Sequence, residues 1–218
     1  ARPGRGAVER AQGLDAPAPT SYRPVLGHGA VVSIVVIFLT CGAMFGANDV
    51  AVVAFAAELG QKSAAGAALA AWAAGSFLAA LAYGSRSWGW PLWKQLAAGA
   101  LALALGASTF TVAPNLAVLS ALYALTGLAI APTITSGNNI VQVTVAPSQL
   151  TEGLAWVSTA LNIGVSLGSM LAGRVLDASG SRGGYLLVAG FAWIGAAVTA
   201  GSLRVLRRAR ARSRIPLE

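Results

Sequence analysis

Between Lys94 and Glu152 the chain reads QLAAGALALALGASTFTVAPNLAVLSALYALTGLAIAPTITSGNNIVQVTVAPSQLT, 57 positions (95–151) without a charged side chain. A helix needs about 20 mostly apolar residues to cross the hydrocarbon core of a bilayer. The stretch is too long for one such span and suits two, divided where Val112 to Asn115 brings in Pro114. Four other gaps between charges suit one span each. They hold 25 residues after Arg23, 23 after Lys62, 21 after Glu152 and 21 after Arg182. The sequence therefore predicts an all-α membrane protein with six transmembrane helices, over Val31–Leu59, Ala65–Gly84, Gln95–Ala113, Leu116–Ser136, Leu154–Leu176 and Tyr185–Leu206.

Composition leads to the same class. Hydrophobic residues make up 56% of the 218 and charged residues 10%, with a mean hydropathy of +0.68. A soluble domain carries roughly a quarter charged residues, so there is too little polar surface to coat one. The apolar runs are continuous and rich in Ala and Leu, without the ten-residue alternation of a transmembrane barrel.

Charge distribution sets the expected topology. Residues 1–29 are polar, rich in Pro and Gly and begin without Met, as expected of a flexible cytoplasmic linker within a longer chain. The transmembrane domain is expected over 30–206 and a basic cytoplasmic tail over 207–218. With six crossings, both termini and the loop holding Arg86 and Lys94 share a side with twelve basic residues, against three (Lys62, Arg174, Arg182) opposite. The positive-inside rule puts that richer side in the cytoplasm and the protein in the cell membrane. The net charge of +8 then needs no nucleic-acid partner, since a basic tail orients the chain against acidic headgroups. Trp88, Trp90 and Trp93 suit interfacial anchors.

Several chemistries are excluded. Cys41 alone makes no internal disulfide, and His28 alone supports neither a His-based triad nor a His-rich metal site. No nucleophile motif or phosphate loop occurs, and Glu152 and Asp177 flank opposite ends of one helix. Neither enzymatic activity nor a metal or other cofactor is expected.

Asp49 is the most informative residue. It falls within the first predicted span, roughly 6 Å past its midpoint, and a carboxylate facing lipid is costly. It either binds a proton or substrate in a transport path, or it snorkels or hydrogen-bonds locally, to Asn48 or a neighbouring helix. Glu58 reads as an interfacial charge. In the segment 132–139, Pro132 and Gly137 loosen the helix, and Asn138 and Asn139 either bind substrate or cap its end. The fifth span carries a polar stripe at Thr159, Asn162, Ser166 and Ser169, whose steps keep one helical face. Beside it, Gly164, Gly168 and Gly173, like Ala67, Ala71 and Gly75 in the second span, form small faces suited to helix packing.

Taken together, these features resemble the C-terminal six-helix half of a major facilitator superfamily transporter. The resemblance rests on the run from Gly75 to Arg86, on Gly127 to Thr133 with Pro132, and on Glu152 to Gly164 continuing to Gly168 and Gly173. It departs around Gly84 to Arg86, where a basic residue stands without the acidic partner of the family's gate latch. The resemblance implies alternating access by a secondary transporter, as proton-coupled efflux of a small organic molecule. Asp49 would be the proton-coupling carboxylate, and Asn48, Trp72, Thr133, Trp156, Thr159 and Asn162 would line the substrate cavity. The third and sixth spans would face lipid, and the small faces of the second and fifth would dock a missing N-terminal six-helix half. A self-contained six-helix protein, working as a homodimeric channel or transporter or as a non-transporting scaffold, remains the alternative. The 13 Arg against 2 Lys, with abundant Ala and Gly, suit a GC-rich bacterial genome.

Overall fold

The computed structural model describes residues 24–86 and 88–212. The expected linker over 1–23 and the last tail residues, 213–218, lie outside the described residues. Those described form helices α1 (Gly29–Glu58), α2 (Ala65–Gly84), α3 (Leu92–Thr109), α4 (Leu116–Gly127), α5 (Ile130–Thr144) and α6 (Leu150–Arg212), with 3-10 turns between some of them and no strand.

The helices make five stretches long and apolar enough to cross a membrane, where the sequence predicts six: Gly29–Glu58, Lys62–Gly84, Leu92–Val112, Leu116–Thr144 and Pro147–Arg207. They fit a membrane-embedded protein. The shortfall arises because the expected fifth and sixth spans, and the loop between them, form one continuous run. Only Gly180 departs from helical geometry there, at φ 67° and ψ −170°, in the left-handed region open to glycine. Residues 150–179 lie parallel to α1, with Gly164 beside Leu39 and Gly168 beside Ala43. After Gly180 the direction is reversed, since Gly184 meets Ala51, Gly195 meets Thr40 and Val205 meets Gly29. The two arms of α6 therefore run antiparallel and both pack on α1.

Other boundaries shift for local reasons. The expected fourth span is two helices, α4 and α5. Pro132 cannot donate to the Leu128 carbonyl, and the preceding turn tightens, with Leu128 N donating to Leu125 O (3.3 Å) and Ala129 N to Thr126 O (3.0 Å). The division expected at Val112 to Asn115 is present, and Asn115 caps α4 by accepting from Val118 N at 2.9 Å. Gly137 does not interrupt α5, which runs unbroken through it, and its missing Cβ leaves room for the Phe38 ring. Asn138 and Asn139 lie inside α5 and cap nothing. The expected linker ends early, since Val25 is fully buried among Val31, Ile34 and Val157. The last helix continues to Arg212, into the expected tail.

Two apolar clusters mark the ends of the bundle. One holds Val25, Val31, Ile34, Phe38, Leu96, Ile140, Val157 and Leu206, and the other Met44, Val52, Leu103, Phe110, Leu119, Tyr123, Ala172, Tyr185 and Val188. Glycine controls how closely the helices approach. A Cβ on Gly42 or Gly46 would run into the carbonyls of Leu161 or Val165, and one on Gly164 or Gly168 into those of Leu39 or Ala43. This is a reciprocal small-xxx-small crossing, in which bare backbones gain van der Waals contact and Cα–H···O bonds. Gly75 and Gly127 lock α2 to α4 likewise, against the Ala124 and Trp72 carbonyls.

Candidate functional site

Asp49 and Asn48 lie on the same turn of α1 and point to different places. Asn48 is buried, and its Oδ1 accepts from the Tyr123 hydroxyl at 2.6 Å. The Tyr185 hydroxyl lies 3.3 Å from that of Tyr123. Because Tyr123 spends its single proton on Asn48, Tyr185 is the donor in this second bond. The chain Tyr185–Tyr123–Asn48 ties α6, α4 and α1 together inside the bundle. Trp72 stands edge-on to Tyr123, with ring centroids 4.8 Å apart, and also meets Phe110 (5.7 Å) and Phe45 (6.3 Å).

Asp49 points out of the bundle. It is exposed and has no hydrogen-bond or ion-pair partner among the described residues. The local hydrogen bond to Asn48 that the sequence leaves open is absent, because the two side chains diverge by the 100° between successive helical residues. On the first arm of α6, Trp156, Thr159, Asn162 and Ser166 are likewise exposed, and Thr159, Asn162 and Ser166 line an open groove. Asn162 Nδ2 donates to Ser158 O at 2.8 Å and Ser166 Oγ to Asn162 O at 3.1 Å. Ser169, expected on the same stripe, instead donates inward to Gly46 O at 3.0 Å.

Of the remaining candidates, Thr133 is 2% exposed. It donates to Ala129 O at 2.6 Å and fills the space left by Gly99 of α3. Of the proton-coupling and cavity candidates, Asp49, Trp156, Thr159 and Asn162 are therefore exposed, Asn48 and Thr133 are interior, and Trp72 is half-buried. Gly75, Gly164 and Gly168 lie in seams within the bundle, while Ala67 of the same second-span face is exposed. Gly173 has open space where a Cβ would stand.

Three arrangements carry no expectation from the sequence. The pair Gly42 and Gly46 has the same spacing as Gly164 and Gly168, so its signal was present. Tyr83 donates to Gln95 Oε1 and lies 3.3 Å from Ser136 Oγ, while Gln95 Nε2 donates to Trp90 O at 2.6 Å. This bonding secures the turn between α2 and α3 around two buried polar residues, with no short-range sequence signal. Third, Glu58 is more than an interfacial charge. Its Oε1 accepts from Ser181 N at 2.7 Å and its Oε2 from the Ser181 hydroxyl, so it caps the second arm of α6 from 123 positions away in the chain. Glu58→Ala should lower stability by about 1 kcal/mol, read as an earlier thermal transition in detergent, with Glu58→Gln losing less. Equal transitions for all three proteins would contradict this capping role.

In comparisons with known proteins, no family model matches the chain and no curated protein resembles it significantly.

Proposed function

We propose that this chain is one six-helix half of a secondary transporter that carries a small organic molecule against a proton gradient, with Asp49 as the proton-binding group. The chain then crosses the membrane six times, the turn at Gly180 dividing the last two crossings, and both ends are cytoplasmic. One observation carries this reading: a carboxylate inside the most apolar long helix is turned out of the bundle that holds it. In lipid that position is strongly unfavourable. A second helical body that covers Asp49 and leaves water beside it removes the penalty. A cavity between two bodies near the midplane is where carriers of this kind bind their substrates. The exposed polar stripe at Thr159, Asn162 and Ser166 is the second patch such a body can cover, and the self-bonded Asn162 and Ser166 tolerate partial desolvation.

A second copy of the chain is the alternative cover. Both readings make Asp49 part of an aqueous path, and they differ in the size of the native product. Proteoliposomes made from native membranes and given an inward proton gradient should show saturable, gradient-driven movement of at least one compound from a broad panel of organic cations and weak bases. No flux of any panel member under either gradient direction would reject the carrier. An antibody to the C-terminal tail should detect a band near twice 21.9 kDa if the halves are fused, and one near 21.9 kDa if copies pair.

A further inference from the structure

A pocket of about 340 Å³ opens at the end of the bundle where α1 finishes and the second arm of α6 begins. Its apolar lining is Phe55, Val112 and Ala113 over the buried rings of Phe110 and Tyr185, with Thr111, Ser181 and Arg182 on the polar side. The volume is in the range of small-molecule sites.

The hydrogen-bonding capacity of this pocket is nearly all committed. Ser181 gives both its backbone N–H and its hydroxyl to Glu58. The Thr111 hydroxyl donates to Ser108 O at 2.8 Å, and Tyr185 is engaged with Tyr123. The Glu58 carboxylate is likewise turned onto Ser181. Arg182 is exposed, and no acceptor among the described residues holds it. Its guanidinium is thus the single charged group lining the pocket and the uncommitted side-chain donor there. A planar guanidinium is suited to a carboxylate or phosphate, which it can hold through two parallel N–H···O bonds.

We propose that this pocket binds an anionic amphiphile, its phosphate or carboxylate on Arg182 and its apolar body against Phe55, Val112 and Ala113. Two sources share that chemistry, a membrane lipid and a soluble aryl or alkyl acid. The site is independent of the carrier reading, since it lies at the rim and includes neither Asp49 nor the exposed stripe.

The test uses the full chain purified in a neutral maltoside detergent. Native mass spectrometry measures retention of dioleoylphosphatidylglycerol against dioleoylphosphatidylcholine, and titration measures binding of 1-naphthoate. The wild-type protein should retain the anionic lipid, or bind naphthoate, at least about tenfold better than Arg182→Gln. Val112→Asp, on a rim residue that is 73% exposed and so free to change without unfolding, should weaken binding by repulsion. Retention of phosphatidylglycerol without naphthoate binding assigns the site to lipid, and displacement of the lipid by naphthoate assigns it to a soluble acid. Equal retention of both lipids with no naphthoate binding would overturn the proposal. So would wild-type affinity in both variants.

Discussion

Gly168→Ala should destabilise the bundle by about 3 kcal/mol, whereas Gly173→Ala, five positions along the same helix, should be neutral or slightly stabilising. The difference lies in what the added methyl meets. At Gly168 it meets the Ala43 carbonyl and its Cα on α1, backbone atoms that move only if the helices separate. Separation also opens the neighbouring contacts of Gly42, Gly46 and Gly164, because all four glycines share one crossing. At Gly173 the methyl meets nothing within 4 Å, and alanine is the better helix former by up to about 1 kcal/mol. Thermal unfolding of the two variants in the same detergent decides the matter. Matching transitions, or a less stable Gly173→Ala, would show that this seam does not hold α6 to α1.

Asp49→Asn should abolish proton-driven uphill transport in the carrier we propose, while leaving the thermal transition within error of wild type. The first half follows from removing the titrating group, since an amide of nearly the same shape binds no proton. The second follows from position, because Asp49 is exposed and makes no hydrogen bond or ion pair among the described residues. Downhill exchange of substrate should persist, which separates lost coupling from lost binding. Asn48→Leu gives the opposite pattern. It leaves the Tyr123 hydroxyl without its 2.6 Å acceptor in a buried site, where an unsatisfied polar group costs about 1–3 kcal/mol, so the protein should unfold earlier. Gradient-driven flux that survives Asp49→Asn at the wild-type rate would remove Asp49 from the mechanism.

The contrast between these adjacent residues shows where sequence reasoning stops. Both are polar positions in an apolar helix, and hydropathy treats them alike. A 100° step places one against Tyr123 and the other outside, and only the packing of α1 against α4 and α6 decides which is which. Ser169, on the stripe with Thr159, Asn162 and Ser166, turns inward to Gly46 O for the same reason. Periodicity defines a face, but the identity of the neighbour on that face depends on helices distant in the chain. Gly180 is a related case. A glycine between two apolar runs signals a turn, yet nothing local indicates that one residue suffices and that Glu58 will complete the cap.

What the sequence determined by itself was the helical, membrane-suited class, the extent of most apolar runs and the break before Asn115. Those follow from the free energy of burying continuous apolar segments and from backbone chemistry, both local. Tertiary structure alone decided that Gly75, Gly164 and Gly168 are spent inside the bundle, that Glu58 caps a helix and that Asp49 and the stripe at Thr159, Asn162 and Ser166 are left exposed. Those outcomes depend on which backbones approach closely enough to exclude a Cβ, a property of helix pairs that no single segment carries.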